Sequence, residues 1–412
     1  MKIKQKIEIV YQLENNISIE KLTYNQVNYW PLLRRNFYTF LLRKGGNKIY
    51  TKKTKFFHLF LSLLLFPFQK KVNKKDQYDN FFLSYSTFRR NKLNNKWFDN
   101  YIDSHVVKEG IENESLIYEI PHRGIYKRPS FHDSSFISPT LFIKGKIFSR
   151  IMFLFSKNKL PQNNELEKAL SLFKEYGYSL SIEKLYLELF EITYYQKYFS
   201  KILKKYKPKA VYTTAYTMNY SMGLMLAASN NHIKTYEFQH GTIFEDNPFF
   251  TNWSEIPKNG YKLLPDTFLV WSEIEKSFIN KNNSTKYHLA INSGNNFIKL
   301  FTDDLINLSN ENKIWNSINF IDGKYILFCL GRQDIPEWIY NFINNDNNNN
   351  WLLRPHPGLN NTKELKNSKF LSILIKEKKN VFFEDVLDLP LYFKLSKMDC
   401  LVGYGSTTII EA

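Results

Sequence analysis

Two short stretches of this 412-residue chain carry residue types suited to chemistry: Gly405-Ser-Thr-Thr408 and Arg354-Pro-His-Pro357. In the first, an apolar run from Asp399 to Val402 meets Gly403 and Gly405 and then Ser406, a good helix N-cap. The opening N–H groups of a helix lack internal partners and carry partial positive charge. Hydroxyls of Ser406, Thr407 and Thr408 beside them form a cradle for a phosphate. In the second stretch, two prolines fix the backbone around His356, and Pro357 closes the turn. A rigid imidazole beside the Arg354 guanidinium suits donation to a leaving phosphate. Arg332, in Gly331-Arg-Gln-Asp334, and the Glu384-Asp385 pair follow other apolar runs, and Glu411 lies about one and a half helical turns beyond Ser406, within reach of ribose hydroxyls.

A second group sits in Tyr236-Glu-Phe-Gln-His-Gly-Thr-Ile-Phe-Glu-Asp246. His240, Glu245 and Asp246 are each able to take a proton from an acceptor hydroxyl, and the chemistry needs one base, so at most one of the three fits. Other chemistries are set aside. The chain has no Gly-x-x-x-x-Gly-Lys-Ser/Thr loop, no Gly-x-Gly-x-x-Gly after a strand, no His-Glu-x-x-His and no Cys-x-x-Cys, and its eight histidines are scattered, so no metal is implied.

The elements that must position these residues alternate. From residue 79 onward, apolar runs that read as buried strands (79–86, 115–119, 210–214, 233–239, 267–271, 287–291) are separated by helical patterns, notably 164–206, 219–229 and 272–279. Arg89, Arg90, Asp99 and Asp103 fall on what reads as loops at one sheet end. A polar stretch, 302–316, reads as an interdomain connection, and the alternation then restarts at 324–330. The expected fold class is α/β, with two Rossmann-like domains facing a cleft and an N-terminal helical extension. The expected boundaries are 1–78 for the extension, 79–300 for an acceptor domain and 317–412 for a nucleotide-donor domain.

Charge adds a partner class. Against 39 Asp and Glu stand 57 Lys and Arg, a formal net charge of +18, with 17% aromatic residues. Such a chain is drawn to polyanions. The aromatics fall within expected strands and helices, which points to core rather than to base stacking, so nucleic acid is not the expected partner. Phe56–Phe68 is an apolar run flanked by lysines, too short to span a bilayer but suited to lie in an anionic leaflet or to form a core helix. Cys329 and Cys400 sit in apolar runs and are expected as buried free thiols of a reducing compartment. No secretory signal follows the basic N-terminus.

With those residues assembled, the chain resembles bacterial capsule and surface-polysaccharide glycosyltransferases of GT-B architecture. Leu389–Ala412 looks like their donor-site strand, turn and helix. Arg354-Pro-His-Pro357 is similar to the His-Pro motif of bacterial sialyltransferases and of transferases using CDP-linked polyols, and Gln239-His240-Gly241-Thr242 is similar to the His-Gly-Thr element of the latter. The resemblance implies transfer of a sugar from a nucleotide-sugar donor to a capsule or lipopolysaccharide glycan, without metal or other cofactor, by a cytoplasmic protein in peripheral contact with the inner face of the membrane. It gives the donor phosphate to His356, Ser406 and Thr407, the ribose to Glu411 and the base role to His240. Family members continue past the equivalent of Glu411, so the donor domain is expected to be truncated at Ala412. Two alternatives remain: a CDP-polyol glycerol- or ribitol-phosphate transferase, and a non-catalytic membrane or polyanion binder.

Overall fold

Asn80-Phe-Phe-Leu-Ser-Tyr85 is buried along nearly its whole length, as suits a strand covered on both faces, and it lies inside the larger sheet with a parallel strand on each side. The computed structural model describes residues 3–43, 75–121, 126–281, 283, 285–330, 334–354, 368–383, 386 and 389–403. In chain order these are α1 (Ile3–Glu14), β1 (Thr23–Tyr24), β2 (Val27–Asn28), α2 (Trp30–Arg43), β3 (Asn80–Tyr85), β4 (Arg89–Leu93), β5 (Lys96–Asp99), α3 (Ile102–Glu109), β6 (Ser115–Ile120) and β7 (Ser135–Phe136). There follow α4 (Thr140–Ser156), α5 (Asn164–Glu175), α6 (Ile182–Tyr206), β8 (Ala210–Thr213), α7 (Asn219–Asn230), β9 (Lys234–Phe238), β10 (Thr267–Val270), α8 (Glu273–Asn280) and β11 (Leu289–Asn292). The rest are α9 (Asn296–Thr302), α10 (Ser309–Ser317), β12 (Tyr325–Cys329), α11 (Glu337–Asn345), β13 (Asn350–Arg354), α12 (Lys369–Glu377), β14 (Val381–Phe382), α13 (Leu391–Leu395) and β15 (Cys400–Gly403).

The chain divides into two compact units, one of residues 1–88, 101–127 and 132–296, the other of 89–100, 128–131 and 297–412. The first holds a seven-stranded sheet in the order β11-β10-β9-β8-β3-β6-β7, parallel throughout. Winding runs outward from β3 in one direction and resumes at β8 in the other, so the topological switch lies between β3 and β8. The second unit holds a parallel four-stranded sheet, β14-β13-β12-β15, whose switch lies between β12 and β15. The expected class, α/β with two Rossmann-like units and helices at the N-terminus, is the observed one.

Local chemistry explains the helix ends. The side chains of Asn163, Ser181 and Ser272 accept from Leu166 N, Lys184 N and Glu275 N and cap α5, α6 and α8. At Gly223 of α7 an added Cβ would stand 2.5 Å from Tyr195 Cβ and 2.9 Å from the Ile192 carbonyl, so glycine is what lets α7 lie against α6.

Four expectations need correction. The stretch 302–316 is not a connection between the two units but part of the second, with α10 across its second half and Trp315 and Glu311 buried. The segment around Arg89 and Asp99 is an antiparallel hairpin, β4–β5, in which these two residues are paired in register and both buried. The long helical pattern 164–206 is broken at Gly177, whose φ of +83° ends α5 before α6 restarts. Cys329 is buried but Cys400 is exposed, because β15 is an edge strand and Cys400 opens it. The apolar run Phe56–Phe68 lies outside the described residues. Among the described residues no helix is long and apolar enough to cross a membrane.

Two imidazoles, buried His288 and half-buried His105, make the first unit sensitive to acid. Nε2 of His288 accepts the Tyr261 N–H at 2.7 Å and Nδ1 faces the Pro265 carbonyl at 2.7 Å. Burial pushes its pKa down to about 4. His105, among the rings of Phe82, Tyr212 and Phe238, is likewise lowered by burial to about 4. Both folded values lie below the ordinary one near 6.5, so the unfolded chain takes up protons first. Stability therefore falls as pH drops from about 6.5 towards 4. His105→Phe, which keeps the ring packing, is expected to remove about 2.5 kcal/mol of the loss between pH 7 and pH 4.5 in urea titrations. An equal loss in the variant and the native chain would clear His105 of this role.

Candidate functional site

Parallel strands bring their C-terminal ends to one edge, and in the first unit that edge carries His240 two residues beyond the end of β9. The peptide around it is pinned from several sides. Gln239 N donates to the Leu269 carbonyl at 2.9 Å, its Oε1 accepts Trp271 N at 2.8 Å, and its Nε2 donates to the Gly241 carbonyl at 2.9 Å and to Glu275 Oε1 at 2.5 Å. The Tyr101 hydroxyl donates to the His240 carbonyl at 3.1 Å, and the Phe88 ring lies 5.6 Å from the imidazole. The imidazole itself is one-third exposed, at 33%.

Behind it stands a residue that the motif reading passed over. Glu237 is a carboxyl inside β9, 1% exposed, with Oε1 3.9 Å from His240 Nδ1 and Oε2 accepting the Tyr216 N–H at 3.2 Å. Burial pushes its pKa well above the usual carboxylate range, against the pull of that N–H. A separation of 3.9 Å is an ion-pair distance rather than a hydrogen bond, and resting sites are often looser than reacting ones. The arrangement leaves Nδ1 facing a buried acid. In the sequence Glu237 is one of several polar residues of Lys234-Thr-Tyr-Glu-Phe238, and it is the burial of this inner strand that singles it out.

Glu245 and Asp246 stand elsewhere. Glu245 Oε1 pairs with Lys281 Nζ at 2.5 Å, and both acids line a cavity of about 460 Å³ whose walls include Tyr11, Glu14, Asn252 and Trp253 but not His240. The three candidate bases are thus split, with His240 over a buried acid and the other two in a pocket that α1 helps to line.

In the second unit, strand register supplies the geometry. Cys329 pairs with Arg354 on one side and with Gly403 on the other, so the last residues of β13, β12 and β15 form one row. Neighbouring strands lie about 4.8 Å apart, which places the Arg354 and Gly403 backbones about 10 Å from each other. Arg354 is half-buried at the end of β13. Arg332, His356, Pro357, Glu384, Asp385, Gly405, Ser406, Thr407, Thr408 and Glu411 lie outside the described residues. Each follows, by two to eight residues, a strand whose C-terminal end is described. Among the described residues no group of three or more His, Cys, Asp or Glu is arranged to hold a metal ion.

No family model matches the chain, and none of the curated proteins does. Solved structures with a similar course include a UDP-GlcNAc 2-epimerase from Neisseria meningitidis bound to UDP-GlcNAc, at 14% identity and a TM-score of 0.44, over 80% of this chain and 78% of that one. The UDP-GlcNAc 2-epimerase of Methanocaldococcus jannaschii is similar at 13% identity and 0.43, over 81% and 80%. The wall teichoic acid polymerase TagF, soaked with CDPG, is similar at 11% identity and 0.38, over 88% and 76%. These neighbours are enzymes of nucleotide-linked substrates. Likeness at this level carries no residue role to the present chain.

Proposed function

We propose that this chain is a glycosyltransferase that moves a sugar from a nucleotide-sugar donor to a bacterial capsule or lipopolysaccharide glycan, on the cytoplasmic side of an anionic membrane. The observation that carries the reading is the row Arg354, Cys329, Gly403. It makes the segments bearing Arg332, His356 and Ser406–Thr408 leave from one edge of one parallel sheet, beside its switch point, where anionic ligands are bound in folds of this kind. In this reading Arg354, Arg332 and His356 hold the leaving phosphate with the Ser406–Thr408 turn, and Glu411 takes the ribose. His240 accepts the proton of the acceptor hydroxyl at Nε2 while Glu237 faces Nδ1. The acceptor oxygen bonds to the anomeric carbon, and the bond from that carbon to the donor phosphate breaks with its electron pair on the nucleotide.

A second reading, transfer of glycerol or ribitol phosphate from a CDP-linked donor, is favoured by the Gln239-His240-Gly241-Thr242 stretch and uses the same groups. Incubation with CMP-, CDP-, UDP- and GDP-linked donors separates the two. Release of nucleotide from a sugar donor, persisting in EDTA, is the expected result, and release of CMP from a CDP-polyol alone selects the second reading. Turnover of none of these donors removes both.

A further inference from the structure

One face of α4 exposes four large apolar side chains. Ile147, Ile151, Leu154 and Phe155 are 52%, 46%, 65% and 80% exposed. At 100° per residue their spacing of four, three and one gathers them into a single stripe about a third of the helix circumference wide. The opposite face is the packed one. Leu141, Gly145 and Ser149 are buried at four-residue spacing, and an added Cβ on Gly145 would meet the Tyr195 ring of α6 at 3.0 Å. An apolar stripe that points away from its own core, on a helix held firmly by the other side, is unusual for a surface in water.

Charge identifies what covers it. From Thr140 to Lys159 the chain has five basic residues, Lys144, Lys146, Arg150, Lys157 and Lys159, and no acid. Lys146, Arg150 and Lys157 line one edge of the stripe by the same helical count, while Lys144 falls within it. On the neighbouring α6, Lys197 Nζ stands 5.2 Å over the Phe148 ring, and from Gln196 to Lys209 there are six lysines and again no acid. A second copy of the chain would set five cations against five with nothing between them, which opposes self-association. Anionic headgroups around an apolar interior match both features at once.

We infer that the α4 face is a docking surface for an anionic lipid leaflet, with Ile147, Ile151, Leu154 and Phe155 entering the acyl boundary and the flanking Lys and Arg meeting headgroup phosphates. This deepens the membrane part of the function proposed above by naming the surface. It is read without donor or acceptor, so transfer chemistry can fail while this stands, and the reverse.

Flotation of the full chain with phosphatidylcholine vesicles, and with vesicles containing about one-third phosphatidylglycerol, tests it. Binding is expected to the second and not the first, and to weaken in high salt. Leu154→Ser with Phe155→Ser is expected to cut binding more than about tenfold. Lys146→Gln with Arg150→Gln is expected to cut it about twenty-five-fold, at roughly fivefold per basic residue. Melting temperatures should hold in both variants, since the altered side chains are exposed. Equal binding to neutral vesicles, or unchanged binding in both variants, overturns the assignment. So does a native dimer on size exclusion that the Ser variant turns into monomer, which would give the stripe to a second copy.

Discussion

His240→Ala is expected to lower transfer by about two to four orders of magnitude while leaving donor affinity and melting temperature close to native. The side chain is one-third exposed, and the loop carrying it is held by Gln239 and Tyr101 rather than by the imidazole, so truncation leaves the frame in place. Glu237→Gln is the companion variant. Glutamine keeps the acceptor for Tyr216 N–H but cannot ionise beside His240, so turnover is expected to fall less than for His240→Ala and the pH profile to lose the limb that Glu237 sets. Its stability should change the other way. The folded pKa of Glu237 is raised above the unfolded one, so the native chain binds the proton more tightly and loses stability as pH rises from about 4.3 towards the folded value. Glu237→Gln should therefore match the native chain near pH 4 and exceed it at pH 8. Steady-state rates and urea midpoints at the two pH values decide the matter. Full activity in His240→Ala would return the base role to Glu245 or Asp246, and Glu237→Gln that unfolds would make the carboxyl a structural group.

What could be read without coordinates follows burial. β3 and β10 are buried on both faces, as in a parallel sheet covered on both sides, so their runs stand out and the order of the strands along the chain gives the winding. The hairpin β4–β5 was hidden because its first strand, Arg89-Arg-Asn-Lys-Leu93, is almost wholly polar. Its Arg89 is nonetheless buried, and the Arg89 guanidinium donates to the Trp97 carbonyl at 3.1 Å, a pairing set by a turn rather than by hydrophobic pattern. Glu311 and Trp315 were hidden in 302–316 for a related reason: one buried acid and one buried ring in a polar stretch have no period to betray them. At the candidate site, His240 was marked by its strand-end glycine. Glu237 was not, because an acid becomes informative only when the strand holding it is known to be central. The division of His240 from Glu245 and Asp246 is beyond pattern altogether, since it depends on where α1 packs.

The packing of α1 carries the second large effect. Arg34→Met is expected to destabilise the first unit by about 3–5 kcal/mol, because it leaves Glu14 buried without its cation. Arg34 and Glu14 are both almost fully buried and meet at 2.8 Å. The same guanidinium donates to the carbonyls of Thr251 at 3.2 Å and Asn252 at 2.9 Å and lies 4.0 Å from the Trp253 ring centroid. Glu14 in turn accepts from Trp30 Nε1 at 2.8 Å and Ser254 N at 3.2 Å. Burial raises the pKa of Glu14 and Arg34 pulls it down, so removing Arg34 lets it rise further. A carboxyl with a raised folded pKa contributes most at low pH, so the deficit of Arg34→Met should be largest above neutrality and shrink towards pH 4. Adding Glu14→Gln should recover part of it by removing the stranded charge. Urea unfolding of the two variants at pH 8 and pH 4.5 measures this, and a loss below about 1 kcal/mol at pH 8 would mean that water reaches the pair. The consequence reaches the site. Thr251, Asn252 and Trp253 belong to the loop that leaves His240 and Gly241, so the ion pair ties α1 and α2 to the segment that follows the candidate base. Partial loss of activity in Arg34→Met, restored together with stability in the double variant, is what that connection requires.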